Sequence, residues 1–198
     1  MRRLLSIGTA YNTFIYLIGK FGFARLYLFA KYIPYCPGTK VLDLGCGPGT
    51  NTEFFQPADY LGIDISEAYI SKARQAHPGF NFACDNFLDL DESFNESYDL
   101  VLMSGLLHHL NDEMFMEFMA KSYALIKKGG RLIAIENCLH QKQSKLKRKL
   151  ILMDRGKYVR EVEHTRRLIE QTDFNSQISI EEDLLMIPYS HLIATCQK

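Results

Sequence analysis

Residues 41–50, VLDLGCGPGT, constrain this chain more than any other stretch. The first four, VLDL, read as a short buried parallel strand with an acid, Asp43, inside it. Glycines follow at 45, 47 and 49. Such glycines let the backbone turn sharply and come close to a ligand that a Cβ would hold away. Thr50 and Asn51 then supply capping groups for a short helix expected over residues 50–56, whose first turn would expose backbone N–H donors. Strand, glycine loop and helix in that order build a nucleotide or nucleoside site at the C-terminal end of a parallel strand.

The spacing separates the ligand classes. A dinucleotide fold takes G-x-G-x-x-G, its third glycine packing helix against strand. Here the pattern is D-x-G-x-G-x-G, from Asp43 through Gly45, Gly47 and Gly49, with threonine at 50. Asp64 ends the next apolar run, YLGID, about 20 residues beyond the loop, where a carboxylate can accept hydrogen bonds from both hydroxyls of a ribose. Asp85 and Asn86 end a third run, expected as a strand over residues 80–83. An acid and an amide at that rim position can read the amino group and ring nitrogen of an adenine.

The rest of the chain alternates strands and helices, which predicts a mainly parallel sheet covered on both faces. A helix capped at Ser66 runs to Ala76, YDLVLM at 98–103 forms a fourth strand, residues 112–127 an amphipathic helix stopped by Gly129 and Gly130, and RLIAIE at 131–136 a fifth strand. Residues 142–153 and 161–171 are helical candidates, and residues 177–182 and 191–197 alternate as strands around a turn at Pro188. Ahead of the first strand, residues 10–33 are helical, divided at Gly19 and Gly22, with Tyr11, Phe14, Ile15 and Ile18 on one apolar face. Their aromatic side chains either pack on the sheet or form a lid in which Tyr11, Tyr16 or Phe21 touches the ligand. At 198 residues the chain suits one domain with a sizeable core. Its 23 basic and 23 acidic residues leave no field for gripping nucleic acid, so a DNA partner is not expected. Five scattered cysteines, with no C-x-x-C pair, point to reduced thiols in a cytoplasmic setting rather than to zinc or disulfides, and the N-terminal MRRLL is too soon interrupted for a secretory leader.

On these motifs the sequence resembles the class I S-adenosylmethionine (SAM)-dependent methyltransferases over roughly residues 38–136. VLDLGCGPGT matches the family's first motif, GIDIS at 62–66 its ribose-binding strand end, ACDNF at 83–87 its adenine position, YDLVLMSGLLHHL at 98–110 its fourth strand and following loop, and LIKKGGRLIAIE at 125–136 its fifth-strand unit. The resemblance implies an α/β fold, a three-layer αβα sandwich whose seven strands run in the order 3-2-1-4-5-7-6 with the last antiparallel. It also implies one methyltransferase domain: a helical lid over 1–37, a SAM-binding core over 38–136, a substrate-side insert over 137–160, and a closing helix and strand pair over 161–198. SAM would be the cofactor and S-adenosylhomocysteine its product. Gly45, Cys46 and Gly47 would approach the amino-acid end of SAM through their backbone, with Cys46 present for its small size. Asp43 would steady the loop or reach the ammonium through water. Asp64, with Ile65 beside it, would bind ribose, Asp85 and Asn86 the adenine edge, and Ser104 would sit near the methionine part, under a lid bearing Tyr11. No metal is implied.

Methyl transfer needs a base only where the nucleophile must lose a proton. His108 and His109, just beyond the fourth strand, titrate near neutrality and are the catalytic candidates; the alternative is that LHHL is a packing element at a helix entry. Neither a [DN]-P-P-[YF] motif after the fourth strand nor a Pro-Cys pair is present, which argues against the usual methylation of nucleobases. The expected acceptor is a small molecule, with O-methylation preferred; the alternatives are methylation of protein or RNA, and SAM binding without catalysis. The basic run Lys142, Lys145, Lys147, Arg148 and Lys149 is either a solvated helix face or a contact for an anionic membrane or an acidic substrate. Asp154, Arg155, Gly156 and Arg160 are expected to form a turn facing the pocket, with the two arginines clamping a carboxylate or phosphate.

Overall fold

A computed structural model describes residues 23–153 and 156–198. Tyr11 and most of the expected lid lie outside the described residues, as do Asp154 and Arg155. Seven strands, β1 (Val41–Leu44), β2 (Tyr60–Asp64), β3 (Asn81–Cys84), β4 (Tyr98–Ser104), β5 (Ile126–Asn137), β6 (Asn175–Glu182) and β7 (Ser190–Gln197), form one sheet in the order β3-β2-β1-β4-β5-β7-β6. The first five are parallel, and β7 runs antiparallel to both β5 and β6, as the resemblance implies.

Strict alternation along the strands divides the core into two layers. Leu42, Leu44, Val101, Met103, Leu132, Ala134, Leu192 and Ala194 face one side, covered by α3 (Asp112–Leu125) and α5 (Val162–Ile169) through Phe115, Phe118, Met119, Leu168 and Ile169. Val41, Leu100, Leu102, Ile133, Ile135 and Ile193 face the other, covered by α1 (Phe23–Tyr32) and α2 (Glu67–Ala76) through Leu28, Phe29, Ile70 and Ala73. A further helix, α4 (Lys145–Leu152), follows β5 and is capped by Ser144, whose oxygen accepts the Lys147 N–H at 3.2 Å.

Two local expectations are corrected. Residues 50–56 do not form an α-helix; two single 3₁₀ turns, Thr52–Phe54 and Pro57–Asp59, carry the chain from the loop to β2. Tertiary contacts override helix formation here. The Asn51 side chain donates to Asp43 at 3.1 Å instead of capping, and Phe54 and Phe55 turn toward Phe29, their ring centroids 3.8 and 5.8 Å from it. The helix expected to run to 127 ends at Leu125. Residues 126–130 instead enter β5 through a bulge, where pairing jumps from Tyr98↔Ile126 to Leu100↔Arg131 around Gly129 at φ +82°.

Candidate functional site

The C-terminal ends of β1, β2, β3 and β4 lie side by side, so the loops that follow them share one rim. Gly45, Gly47 and Gly49 all have positive φ (+67°, +55° and +78°), a conformation side chains resist. A Cβ on Gly45 would come within 2.9 Å of the Leu106 side chain, and one on Gly49 within 2.9 Å of His77 and 3.0 Å of Phe82. At Gly47 a Cβ would meet nothing within 4 Å among the described residues. The outer glycines are therefore packed from within, and Gly47 is the position where the backbone lies open to a ligand. Gly49 also does the close packing that a dinucleotide loop assigns to its third glycine.

Beneath the loop Asp43 is almost fully buried. Its Oδ2 accepts Tyr60 Oη at 2.7 Å and Asn51 Nδ2 at 3.1 Å, and its Oδ1 is buried without a hydrogen-bond partner among the described residues. Burial pushes this carboxyl up to about 6, opposed by those two hydrogen bonds and by the charge of Arg25. Arg25 comes from α1: its guanidinium bonds to Thr50 O, pairs with Glu53 at 3.0 Å and lies 5.4 Å from the Phe54 ring centroid. Burial keeps the Tyr60 hydroxyl and the Cys46 thiol protonated, well above their usual ranges. Cys46 Sγ rests where a Gly62 side chain would be, 2.9 Å from the position of its Cβ, which fits a residue chosen for size and not for thiol chemistry.

Asp64 ties the rim together. Its Oδ2 accepts the Gly47 N–H at 2.9 Å and its Oδ1 the Ser66 N–H at 2.8 Å, so one carboxylate joins the glycine loop to the start of α2. Ile65 beside it is 78% exposed, an apolar side chain held out at the rim. Asp85 is exposed and takes its neighbour's N–H at 2.8 Å. Asn86 is committed to a turn: its Oδ1 accepts the Leu88 N–H at 3.3 Å and its Nδ2 donates to Asp89 at 3.0 Å. Ser104 ends β4 one position past the Leu44↔Met103 pair, at the mouth of the glycine loop. These residues fit the cofactor that the sequence implies. The open face at Gly47 and the unsatisfied buried oxygen of Asp43 call for a ligand carrying hydrogen-bond donors, and an ammonium supplies them, directly or through water.

The two histidines occupy different environments. His108 is buried and His109 exposed, their ring centroids 4.2 Å apart. His108 Nδ1 lies 2.6 Å from Glu136 Oε2, while Glu136 Oε1 accepts the N–H groups of Leu106 and Leu107 at 2.8 and 2.7 Å. This buried carboxylate at the end of β5 thereby shapes the turn that carries both histidines. It was missed in the sequence, although an acid closing the apolar run RLIAIE was a usable signal. Gly156 packs against His108 so closely that a Cβ would fall 1.9 Å from the ring, leaving no room for a side chain, and the Tyr158 N–H donates to His108 O at 2.9 Å.

Arg160 is no clamp for an acceptor. It is buried, donating to the carbonyls of Leu107 (2.9 Å) and Leu110 (2.6 Å), pairing with Asp112 at 2.8 Å and lying 5.0 Å from the centroid of the Phe115 ring. Its N–H donors are spent on these carbonyls, on Tyr158 O at 3.3 Å and on the Asp112 carboxylate, so the guanidinium is committed to holding the turn.

Residues 41–130 match the model of a family described as a methyltransferase domain. Phosphoethanolamine N-methyltransferase 3 of Arabidopsis thaliana is 31% identical over 116 residues, covering 56% of this chain and 24% of that protein. The ubiquinone biosynthesis O-methyltransferase of Nitrobacter winogradskyi is 30% identical over 111 residues, covering 53% and 41%. The chain thus spans well under half the length of these curated relatives. A SAM-dependent methyltransferase from Archaeoglobus fulgidus shares the fold with a TM-score of 0.70 at 19% identity, over 94% of this chain and 99% of that one.

Proposed function

We propose that the chain is a class I SAM-dependent methyltransferase, a reading supported by its methyltransferase-domain match and its fold, and that it methylates a small-molecule acceptor, with a hydroxyl as the preferred nucleophile. The observation that carries this reading is the rim itself: an open glycine backbone over a buried, unsatisfied carboxylate, with Asp64 at the next strand end and Asp85 at the one after. Relatives named for phosphoethanolamine and for ubiquinone biosynthesis support an acceptor of small size, and the balanced charge of the chain supports it against RNA.

SAM, when bound, supplies a methyl group on a sulfonium whose leaving group is neutral, so holding the acceptor in line supplies much of the acceleration. In this reading the backbone of Gly45, Cys46 and Gly47 receives the amino-acid end, Asp43 faces its ammonium, Asp64 accepts the ribose hydroxyls, Ile65 lies against the adenine and Asp85 accepts from its amino group. Ser104 lies near the methionine part. His109 is the histidine an acceptor reaches, and it takes the proton of the hydroxyl. His108, buried on Glu136, is a positioning residue that sets where the turn and its neighbour stand.

Calorimetry with SAM, S-adenosylhomocysteine and NAD, followed by transfer of labelled methyl from SAM into fractionated metabolite extract, tests this. Saturable SAM binding and label in a small-molecule fraction are expected. Label in protein or RNA fractions would reassign the acceptor, SAM binding without transfer into any fraction would leave a SAM-binding protein, and NAD binding in place of SAM would overturn the reading. Asp64→Ala is expected to weaken SAM binding by about 1–3 kcal/mol. His109→Gln is expected to lower turnover while leaving SAM affinity unchanged, and unaltered turnover would leave only positioning to the protein.

A further inference from the structure

The fold divides the basic run of residues 142–149. Lys147 turns inward, bonding to Glu182 and pairing with Asp183 at 2.9 Å, and Arg148 pairs with Glu161 at 2.7 Å. Lys142, Lys145 and Lys149 stay exposed and make no ion pair among the described residues. At 3.6 residues per turn, Lys145, Lys149 and Leu152 form one row along α4, with Leu146 and the following Met153 in the row beside it. Those three apolar side chains are among the most exposed in the molecule, at 60% for Leu146, 53% for Leu152 and 48% for Met153. Ile151, on the opposite side, is fully buried against Leu139 and Tyr189. The amphipathic pattern is thus doubled: Ile151 roots the helix in the fold, and a second, outward stripe carries cations and apolar groups together.

We propose that this stripe docks the protein on an anionic bilayer. An acidic peptide or a free phosphate would use the lysines but leave Leu146, Leu152 and Met153 in water. An apolar protein partner would bury those three but strand the ammonium groups. A bilayer of anionic lipid accepts both: lysine stems lie along the surface with their charges at the headgroups, and the leucines and methionine enter the acyl boundary. The stripe also lies on the site side of the molecule. α4 leaves the end of β5 that holds Glu136, and the chain returns at Gly156 and Tyr158 onto His108. The docking itself is independent of the methyl-transfer reading; taken with that reading, it makes an amphiphilic acceptor drawn from the membrane surface the fitting substrate class.

Co-sedimentation of the full chain with phosphatidylcholine vesicles, with and without phosphatidylglycerol, tests the docking without any need for turnover. Binding is expected to the anionic vesicles alone and to weaken with added salt. Replacing both Lys145 and Lys149 by Gln should lower the partition coefficient about 30-fold. Leu146→Ser with Leu152→Ser should lower it at least about 10-fold while keeping the salt dependence. Lys128→Gln, which removes an exposed charge at the far end of β5, should leave it unchanged, with circular dichroism confirming that each variant is folded. Three results would each overturn the proposal: no sedimentation at low salt, binding that the lysine pair does not weaken, or binding that depends on the lysines but not on the leucines and is competed by poly-glutamate. The last would mark an acidic macromolecule as the partner.

Discussion

Gly47 and Gly49 share a left-handed backbone but answer different needs, and substitution separates them. Gly47→Ala meets only the strain of its positive φ, about 1–2 kcal/mol, because its Cβ direction is empty. It should keep the fold and lose SAM affinity, since the new methyl group occupies ligand space. Gly49→Ala adds a clash with His77 and Phe82 to the same strain, and should depress the melting temperature markedly further. Thermal melting and calorimetry on the pair check this; equal effects on stability would contradict the packing described. Asp43 gives the second residue-scale prediction. Its carboxyl titrates at about 6 in the fold against an ordinary 3.8, raised by burial. Below pH 3.8 both folded and unfolded chains hold the proton, so the group brings no penalty. From there to about 6 the unfolded chain has released its proton and the folded chain has not, so stability falls as pH rises, and above 6 the full cost, on the order of 3 kcal/mol, is present. Asp43→Asn abolishes that titration. Urea unfolding should show the variant gaining on the parent between about pH 4 and about pH 7, while it binds SAM more weakly. A stability difference independent of pH would sink this account.

At the scale of elements, the buried charged groups Glu136 and Arg160 hold the turn 107–109, and Ile151 is the buried apolar group that seats α4. Glu136→Gln keeps an oxygen for the Leu106 and Leu107 N–H groups but removes the carboxylate facing His108. A loss of about 1–3 kcal/mol in stability is expected, with SAM affinity nearly unchanged and a shifted pH profile of turnover. A variant that loses SAM binding in proportion to its activity would show that Glu136 merely supports the fold. Ile151→Ala should cost about 2–5 kcal/mol of local packing, because its side chain is what seats α4 on Leu139 and Tyr189. Hydrogen exchange should then rise across residues 145–152 before it rises in the central strands; uniform acceleration would mean that α4 is not a separate unit. Elements also show where local reading failed. The stretch 50–56 carries helix-start residues, yet Asn51 is drawn to Asp43 and Phe54 to Phe29, contacts that lie outside any local window. By contrast β2 was legible to the residue, since an apolar run ending in an acid at a strand terminus needs no distant partner to be recognised.

For the molecule as a whole, two apolar layers share one sheet, so loss of either exposes the other. Unfolding should therefore be a single cooperative transition, and SAM at 100 times its Kd should stabilise it by about 2.7 kcal/mol. Two separate transitions, only one of them moved by SAM, would divide the molecule into independent parts. Consecutive residues alone determined the strands with their period of two, the glycine loop with its required backbone, and the acids Asp64 and Asp85 standing at two strand ends, because strand periodicity, positive φ and strand termini are local properties. They did not determine which side chains meet across the fold. Glu136 finds His108 from 28 residues away, Arg160 reaches Leu107 across 53 and withdraws from any substrate, and Lys147 pairs with Glu182 across 35 while Lys145 and Lys149 are left outside. Only the tertiary structure decided these, since the layered packing of helices on the sheet chooses which face of each element is buried, and with it which charges are spent inside the molecule and which remain for a partner.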